Sequence, residues 1–502
     1  MRLAVIGGGW AGMAAAVRAT QAGFKVTVFE ASRTLGGRAR KVASFSRPNQ
    51  PLHPTLDNGQ HILLGAYAEC LNLMRLVGVD TEAAFLRAPL RLGPPALTEQ
   101  SPQCRGFELP VSCAHLQAQM PSQGHRKGHG HHHAAQLAKV AWAIWRSTLW
   151  PVSERLQLLR VALHWHGAGF SCPKHLTVEQ LCAQLGPKVI SDLIEPLCVS
   201  ALNTPIQRAS ARVFLRVMHD ALFTTPGGSD VLIPRTDLSA LFPEAACNWL
   251  EHKGAVVHLG QRVRTLKVVA PPCSAESSQP QNPAWSVKGH PFDAVVVATP
   301  PWHAADLIEG LGDPDLNPWV HTTRQLRYEG IATVYLTART PLAAPMVQLR
   351  SSKEAPAQFV FDKGALNPSQ PTSSPTLLAA VVSAFEGNRQ ALEHMVLAQI
   401  QNHLAQNHLG SPDVQVLQTI VEKRATFSCT AGLVRPAAQP FSPALSAPAL
   451  STPPRSDAWR IAASTLVVCG DYIEGPYPAT LEGAVRSAGA AVELLRMPPS
   501  KP

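Results

Sequence analysis

Three glycines near the start of the chain are spaced to bind a pyrophosphate. Residues 3–12 read Leu-Ala-Val-Ile-Gly-Gly-Gly-Trp-Ala-Gly, so Gly7, Gly9 and Gly12 form Gly-x-Gly-x-x-Gly. The first glycine permits a tight turn and the second lets phosphates approach the backbone. The third lets a helix pack close on a strand. Free N–H groups at the start of that helix then face the anionic phosphates. Glu30 closes a strand-like run over 25–29 and offers a carboxylate to a ribose 2′-hydroxyl. The chemistry implied is dinucleotide binding. It requires a buried parallel strand over 3–6, an alanine-rich helix over 13–22 and a second strand ending at the acid.

A second cluster follows at once. Arg33-x-x-Gly36-Gly37-Arg38 supplies a backbone turn and a forked cation suited to a phosphate. At the far end, an apolar run over 466–469 leads into Gly470-Asp471, and Thr480-Leu481-Glu482-Gly483-Ala484 opens a helix. Taken together, these segments resemble the FAD-binding parts of the amine oxidase and phytoene desaturase superfamily. The resemblance implies FAD as cofactor, with Gly37 and Arg38 beside it. It also implies Gly470 and Asp471 at the ribityl and pyrophosphate groups, and the backbone of Val263 near the adenine. Thr480 and Leu481 would begin the helix that points at the flavin pyrimidine, where a helix N-terminus stabilises the negative charge of reduced flavin. The fold class implied is α/β: a Rossmann-like FAD domain with an interleaved α+β substrate domain. Runs of β-branched residues around 254–268 and 292–299 suit buried parallel strands of that FAD domain.

Further blocks narrow the resemblance. They are Asp57-Asn-Gly-Gln-His61, Glu195-Pro-Leu-Cys198 with Asn203-Thr204-Pro205, Asp230 through Pro243, Glu422-Lys-Arg424-Ala-Thr426-Phe427, and Pro478 through Ser487. Together they look like the squalene-associated FAD-dependent desaturases, the hydroxysqualene dehydroxylase family of bacterial hopanoid biosynthesis. The implied activity is reductive: hydroxysqualene to squalene, with hydride from reduced flavin and loss of water. Such a site needs a general acid near the hydroxyl and a dry channel for a hydrophobic C30 isoprenoid. Asp57 and His61 are candidates for the acid, against roles as a turn cap and a satisfied core histidine. Tyr477 and Glu474, just before the flavin-facing helix, are candidates against a role in a solvated loop. Asn203 and Thr204 either line the pocket or shape a turn. Alternative readings are a carotenoid-type desaturase or isomerase, and a non-catalytic flavoprotein that carries prenyl lipid. An amine oxidase is disfavoured because no aromatic pair reads as an amine cage. No second glycine fingerprint for NAD(P)H is present, so the electron donor binds without such a domain or is a separate protein. Association with squalene-pathway enzymes is a further expectation.

The 502 residues suffice for two interleaved domains. The expected division is FAD-binding over 1–93, 251–310 and 459–496, and substrate-binding over 134–250, mainly helical, and 311–435. A His-rich insertion spans 94–133, a polar hairpin tip 271–283 and a Pro/Ser-rich spacer 436–458. The His-rich tract reads as a surface insertion rather than a metal site, since its glycine spacing preorganises nothing. Ten cysteines without a C-x-x-C pattern fit reduced thiols rather than disulfides or zinc. The fingerprint begins at residue 7, which leaves no room before it for a signal peptide, and no apolar run reaches membrane-spanning length. A cytoplasmic enzyme is expected, bound at the inner face of the membrane. The net charge of +10 comes without an aromatic-interleaved basic stripe, so nucleic acid is discounted. Residues 134–166 instead place Trp142, Trp145, Trp150 and Trp165 among Lys139, Arg146, Arg155 and Arg160, a pattern suited to an interfacial helix.

Overall fold

The computed structural model describes residues 1–42, 55–93, 106–111, 129–224, 226–269, 284–366, 375–406, 413–441 and 464–497, with the side chains of 129–135 and 284 excepted. The polar tip at 271–283, most of the His-rich insertion and the spacer beyond 441 lie outside the described residues.

The FAD domain is a five-stranded parallel sheet, whose strand order in space is Val256–His258, Lys25–Phe29, Arg2–Ile6, Ala294–Val297 and Leu466–Val468. The three inner strands are almost wholly apolar and buried, as a sheet covered on both faces demands. Val256–His258 departs from the expectation of burial. It is the sheet's edge, with Val256 and His258 exposed. The stretch after it also departs: Lys267–Val269 leaves the parallel sheet and pairs antiparallel with Ala284–Val287 in a small separate sheet. Two helices cover one face together. Trp10–Gln21 carries five alanines, and small side chains let Leu481–Arg496 lie close against it. Pro243–His252 packs there too, so the end of the stretch read as helical insertion joins the FAD domain's core. Gly310 and Gly312 simply end the helix Pro301–Glu309.

The substrate domain has two parts. One is an antiparallel sheet in the order Met346–Gln348, Phe359–Asp362, Thr376–Ser383, Tyr328–Ala338, Val414–Phe427, backed by the helix Arg389–Gln406. The other is helical, from His129 to Thr224, and contains two π-turns, Ile190–Ile194 and Asp220–Thr224. The longest strand, Val414–Phe427, returns from the substrate sheet to the flavin motifs. Its end supplies Glu422, Ala425 and Thr426 to the space between the domains.

Candidate functional site

A continuous cavity of about 1430 Å³ runs between the two domains. That exceeds the roughly 300–1,000 Å³ of an ordinary small-molecule pocket, and leaves room for a dinucleotide together with a long apolar guest. One end is lined by Gly7, Gly9, Glu30, Gly37, Arg38, Val263, Gly470, Asp471, Thr480 and Leu481, so the sequence-predicted cofactor residues converge there. Gly12 lies behind them, where a Cβ would collide with the carbonyl oxygen of Gly7. Gly9 differs. Its φ is −75°, and a Cβ would meet nothing closer than Gly37 Cα at 3.7 Å. The protein leaves that space free, so the demand for glycine comes from what enters it.

Buried polar atoms point the same way. Gln60 Oε1, Thr299 Oγ1 and Tyr472 Oη belong to cavity-lining residues and find no hydrogen-bond partner among the described residues. Buried orphans of this kind mark a site built for a polar ligand. Two helix N-termini also open on it: Trp10–Gln21 from Gly9, and Leu481–Arg496 from Thr480, whose Oγ1 accepts from Gly483 N at 2.9 Å. The donor set, the glycine cradle and the two helix starts fit FAD.

Charged groups at this end are held by one another. Glu30 accepts from Gly8 N at 2.5 Å and from Ser32 N at 2.6 Å, which fixes the carboxylate at the end of its strand. Arg38 turns its fork to protein, donating to Asp471 Oδ1 at 2.6 Å and to the Ala425 carbonyl at 2.7 Å. Burial pulls its pKa down, but Asp471 outweighs burial and holds it above the ordinary value. The two halves of the flavin motif, 433 residues apart, thus meet in one ion pair.

The candidate acids separate by placement. Asp57 is buried and does not line the cavity. Its carboxylate accepts from Leu238 N at 2.9 Å and pairs with Lys363 Nζ at 3.3 Å, and its backbone exchanges hydrogen bonds with Tyr335 Oη. Burial raises its pKa, but the group ties loops together behind the wall. His61 lines the cavity. Its Nδ1 is 3.2 Å from the Gly59 carbonyl, an acceptor, so Nδ1 carries the proton and Nε2 is left as an acceptor in the neutral ring. Burial, with Arg38 nearby, lowers its pKa and favours that neutral form.

Tyr477 also lines the cavity, beside Leu481. The guanidinium groups of Arg486 and Arg216 lie over its ring at 4.8 and 5.8 Å. Asp220, a buried cavity-lining carboxylate that no motif announced, lies close enough to act on its phenol. Asp220 accepts from Arg216 Nε at 2.6 Å, His219 Nδ1 at 2.8 Å and Thr224 Oγ1 at 3.1 Å. Burial pushes its pKa up, but Tyr477, Arg216 and His219 outweigh burial and keep it below the ordinary value. The same two influences, burial and Asp220, raise Tyr477. Sequence reasoning passed over Asp220 because its role arises from a π-turn, a bulge that re-aims side chains and has no sequence signature. Gln60 and Glu422 stood inside the motif blocks without a role of their own; Glu422 lines the cavity and accepts from Asn58 Nδ2 at 3.2 Å. Glu474 is exposed and not among the lining residues. Asn203 lines the cavity in the left-handed conformation and bridges Thr426 and Ala384. Thr204 is buried behind it.

The other end of the cavity is apolar. Ile144, Leu158, Trp165, Ile194, Phe214, Phe223 and Phe359 are among its walls. No group of three or more potential metal ligands occurs among the described residues.

Comparison with known proteins agrees with this arrangement. A family model described as flavin containing amine oxidoreductase matches residues 10–495. The chain is 26% identical to the hydroxysqualene dehydroxylase of Rhodopseudomonas palustris, over 98% of this chain and 97% of that protein. It is 23% identical to the hydroxysqualene dehydroxylase of Zymomonas mobilis, over 98% of each. Among solved structures, an oxidoreductase from Methanosarcina mazei shares the fold with a TM-score of 0.63 at 16% identity, covering 98% of this chain and 100% of that one. With the glycine cradle, the Arg38–Asp471 pair and the two helix starts opening on one cavity, the chain belongs to the flavin containing amine oxidoreductase family and is an FAD-dependent oxidoreductase.

Proposed function

We propose that the enzyme reductively dehydroxylates hydroxysqualene to squalene. One observation carries the reading: a single cavity joins the flavin motifs to a long apolar chamber, in a chain similar over nearly its whole length to hydroxysqualene dehydroxylases. An amine substrate would ask for polar or charged recognition in the chamber, whereas the walls named at that end are apolar.

The residues divide the work as follows. Gly9 and the N-terminus of Trp10–Gln21 receive the pyrophosphate, and Glu30 the ribose. Thr480 and Leu481 aim a helix N-terminus at the flavin. When bound in its reduced form, FAD supplies the hydride. The chamber excludes water from the isoprenoid, so a cation left by a departing allylic hydroxyl persists long enough to be reduced. Tyr477 is the group we place at that hydroxyl. It faces the cavity beside the flavin-directed helix, and its two overlying guanidinium groups offset the negative charge left when its proton moves to the leaving oxygen. Asp220 orients it. His61 serves by its free Nε2 as an acceptor in the flavin-side wall.

The test is anaerobic. The FAD-loaded enzyme is reduced and mixed with hydroxysqualene, while flavin reoxidation and lipid products are followed. Reoxidation with stoichiometric squalene is expected. Reoxidation absent, with oxidised enzyme dehydrogenating a phytoene-like polyene instead, would move the assignment to a carotenoid-type desaturase. Binding of prenyl lipid without any turnover would make the protein a carrier.

A further inference from the structure

Two helices of the substrate domain, His129–Arg146 and Val152–Gly167, present two different faces. Inward, Val140, Ile144, Leu158 and Ala162 line the cavity. Outward, Trp142 is 60% exposed, Trp145 48%, Leu156 53% and Leu163 62%. Counting Val152, five of the eleven large hydrophobic residues exposed on the described chain fall in these two helices, which makes a patch rather than scatter.

The charge on the patch has one sign. Arg146 lies over the Trp142 ring at 5.7 Å, and Arg155 lies over Trp145 at 5.5 Å while donating to the Trp145 carbonyl. Lys139 and Arg160 are exposed nearby in sequence. Glu154, the one acid in residues 136–167, turns inward and accepts from Val189 N at 3.0 Å. Indole rings capped by arginines beside bare leucines match the headgroup and acyl boundary of an anionic bilayer. A symmetric second copy would set these cations against themselves. Neither helix, nor any other among the described residues, is long and apolar enough to cross a membrane.

Leu163 joins the two faces. It lines the cavity and is 62% exposed, and Ala138 likewise lines the cavity from an exposed position. We propose that this helix pair seats on an anionic phospholipid surface and that Leu163 and Ala138 mark the mouth through which a membrane-dissolved substrate passes directly into the cavity. The identity of that substrate rests on the function proposed above; the docking does not.

The experiment uses FAD-loaded enzyme with vesicles of phosphatidylglycerol and phosphatidylethanolamine, against vesicles of phosphatidylcholine alone. Co-sedimentation with the anionic vesicles at low salt, weakened by high salt, is expected. A Trp142→Ser, Trp145→Ser, Leu156→Ser variant is expected to lower partitioning roughly tenfold or more, with flavin content unchanged. It should keep turnover of detergent-dispersed hydroxysqualene and lose turnover of vesicle-embedded hydroxysqualene. Lys139→Glu with Arg160→Glu should weaken vesicle binding without touching the indoles. Equal partitioning of the parent and triple variant overturns the proposal, as does no vesicle binding. Concentration-dependent self-association that the triple variant abolishes assigns the patch to a second copy and also overturns it. Vesicle binding with no turnover of either substrate form leaves the docking standing and refutes the reaction instead.

Discussion

Gly9 and Asp57 show how differently two residues of the same motif-rich chain are constrained. A methyl at Gly9 would touch no protein atom within 3.7 Å, and its backbone angles suit alanine. Gly9→Ala is therefore expected to fold normally and to bind FAD roughly tenfold more weakly or worse, the effect of about 1.4 kcal/mol; titration of apoprotein with FAD beside an apoprotein melting curve checks both halves. Asp57 is the opposite case, since its partners Leu238 N and Lys363 are structural. Asp57→Asn leaves the buried ammonium of Lys363 without its anion and is expected to cost about 3–5 kcal/mol of stability, read by denaturant unfolding. Any activity lost with it should track lost folded protein. Tyr477→Phe should do the reverse, lowering the flavin reoxidation rate by about 10²-fold or more with the melting temperature nearly unchanged. The glycines and Thr480 were legible because their chemistry depends on neighbours close in sequence. Asp57 and Tyr477 were both legible as titratable groups, but which one faces the cavity depends on contacts with Leu238 and Asp220, far away in the chain.

At the scale of elements, the π-turn Asp220–Thr224 concentrates a carboxylate, a phenol, a guanidinium and an imidazole at one corner of the cavity. Because Asp220 is held below its ordinary value, near 3.8, it contributes stability that is present above that pH and disappears as pH falls through its lower folded value. Unfolding free energies of the parent and Asp220→Asn should differ at neutral pH by about 1–3 kcal/mol and converge below pH 3.8; parallel curves over that range would contradict the assignment. Helices with caps and alanine-rich packing were readable from sequence, as were the inner strands with their β-branched runs. Val256–His258 was readable as a strand of the FAD sheet but not as its edge, because Val-Val reads alike whether a second face is covered or open. The π-turns were not readable either, since the extra residue that makes them leaves the apolar period almost intact.

Across the whole molecule, the FAD domain is assembled from distant pieces. Arg38 and Asp471 form one pair across 433 residues, and Glu482 accepts from the N–H groups of Glu69 and Cys70 at 3.1 and 3.0 Å. A double-mutant cycle of Arg38→Ala with Asp471→Asn is expected to show coupling of 0.5–3 kcal/mol or so, the range for residues in contact, in both unfolding and FAD affinity. Additive losses would mean that the two halves of the cofactor end act independently. The family and the cofactor were legible because these pieces keep their own local motifs; the closure between them was not, being a property of the sheet order alone. That order has a consequence for how the protein is made. The strand Ala294–Val297 has its outer neighbour only when Leu466–Val468 arrives, and the Trp10–Gln21 helix, already met by Pro243–His252, gains its second covering helix only when Leu481–Arg496 follows. A chain that has emerged only as far as residue 480 therefore holds the glycine cradle without Leu481–Arg496 against its helix. A chain shortened before residue 481 is expected to hold little FAD and to engage chaperones instead, read by flavin content and chaperone co-purification.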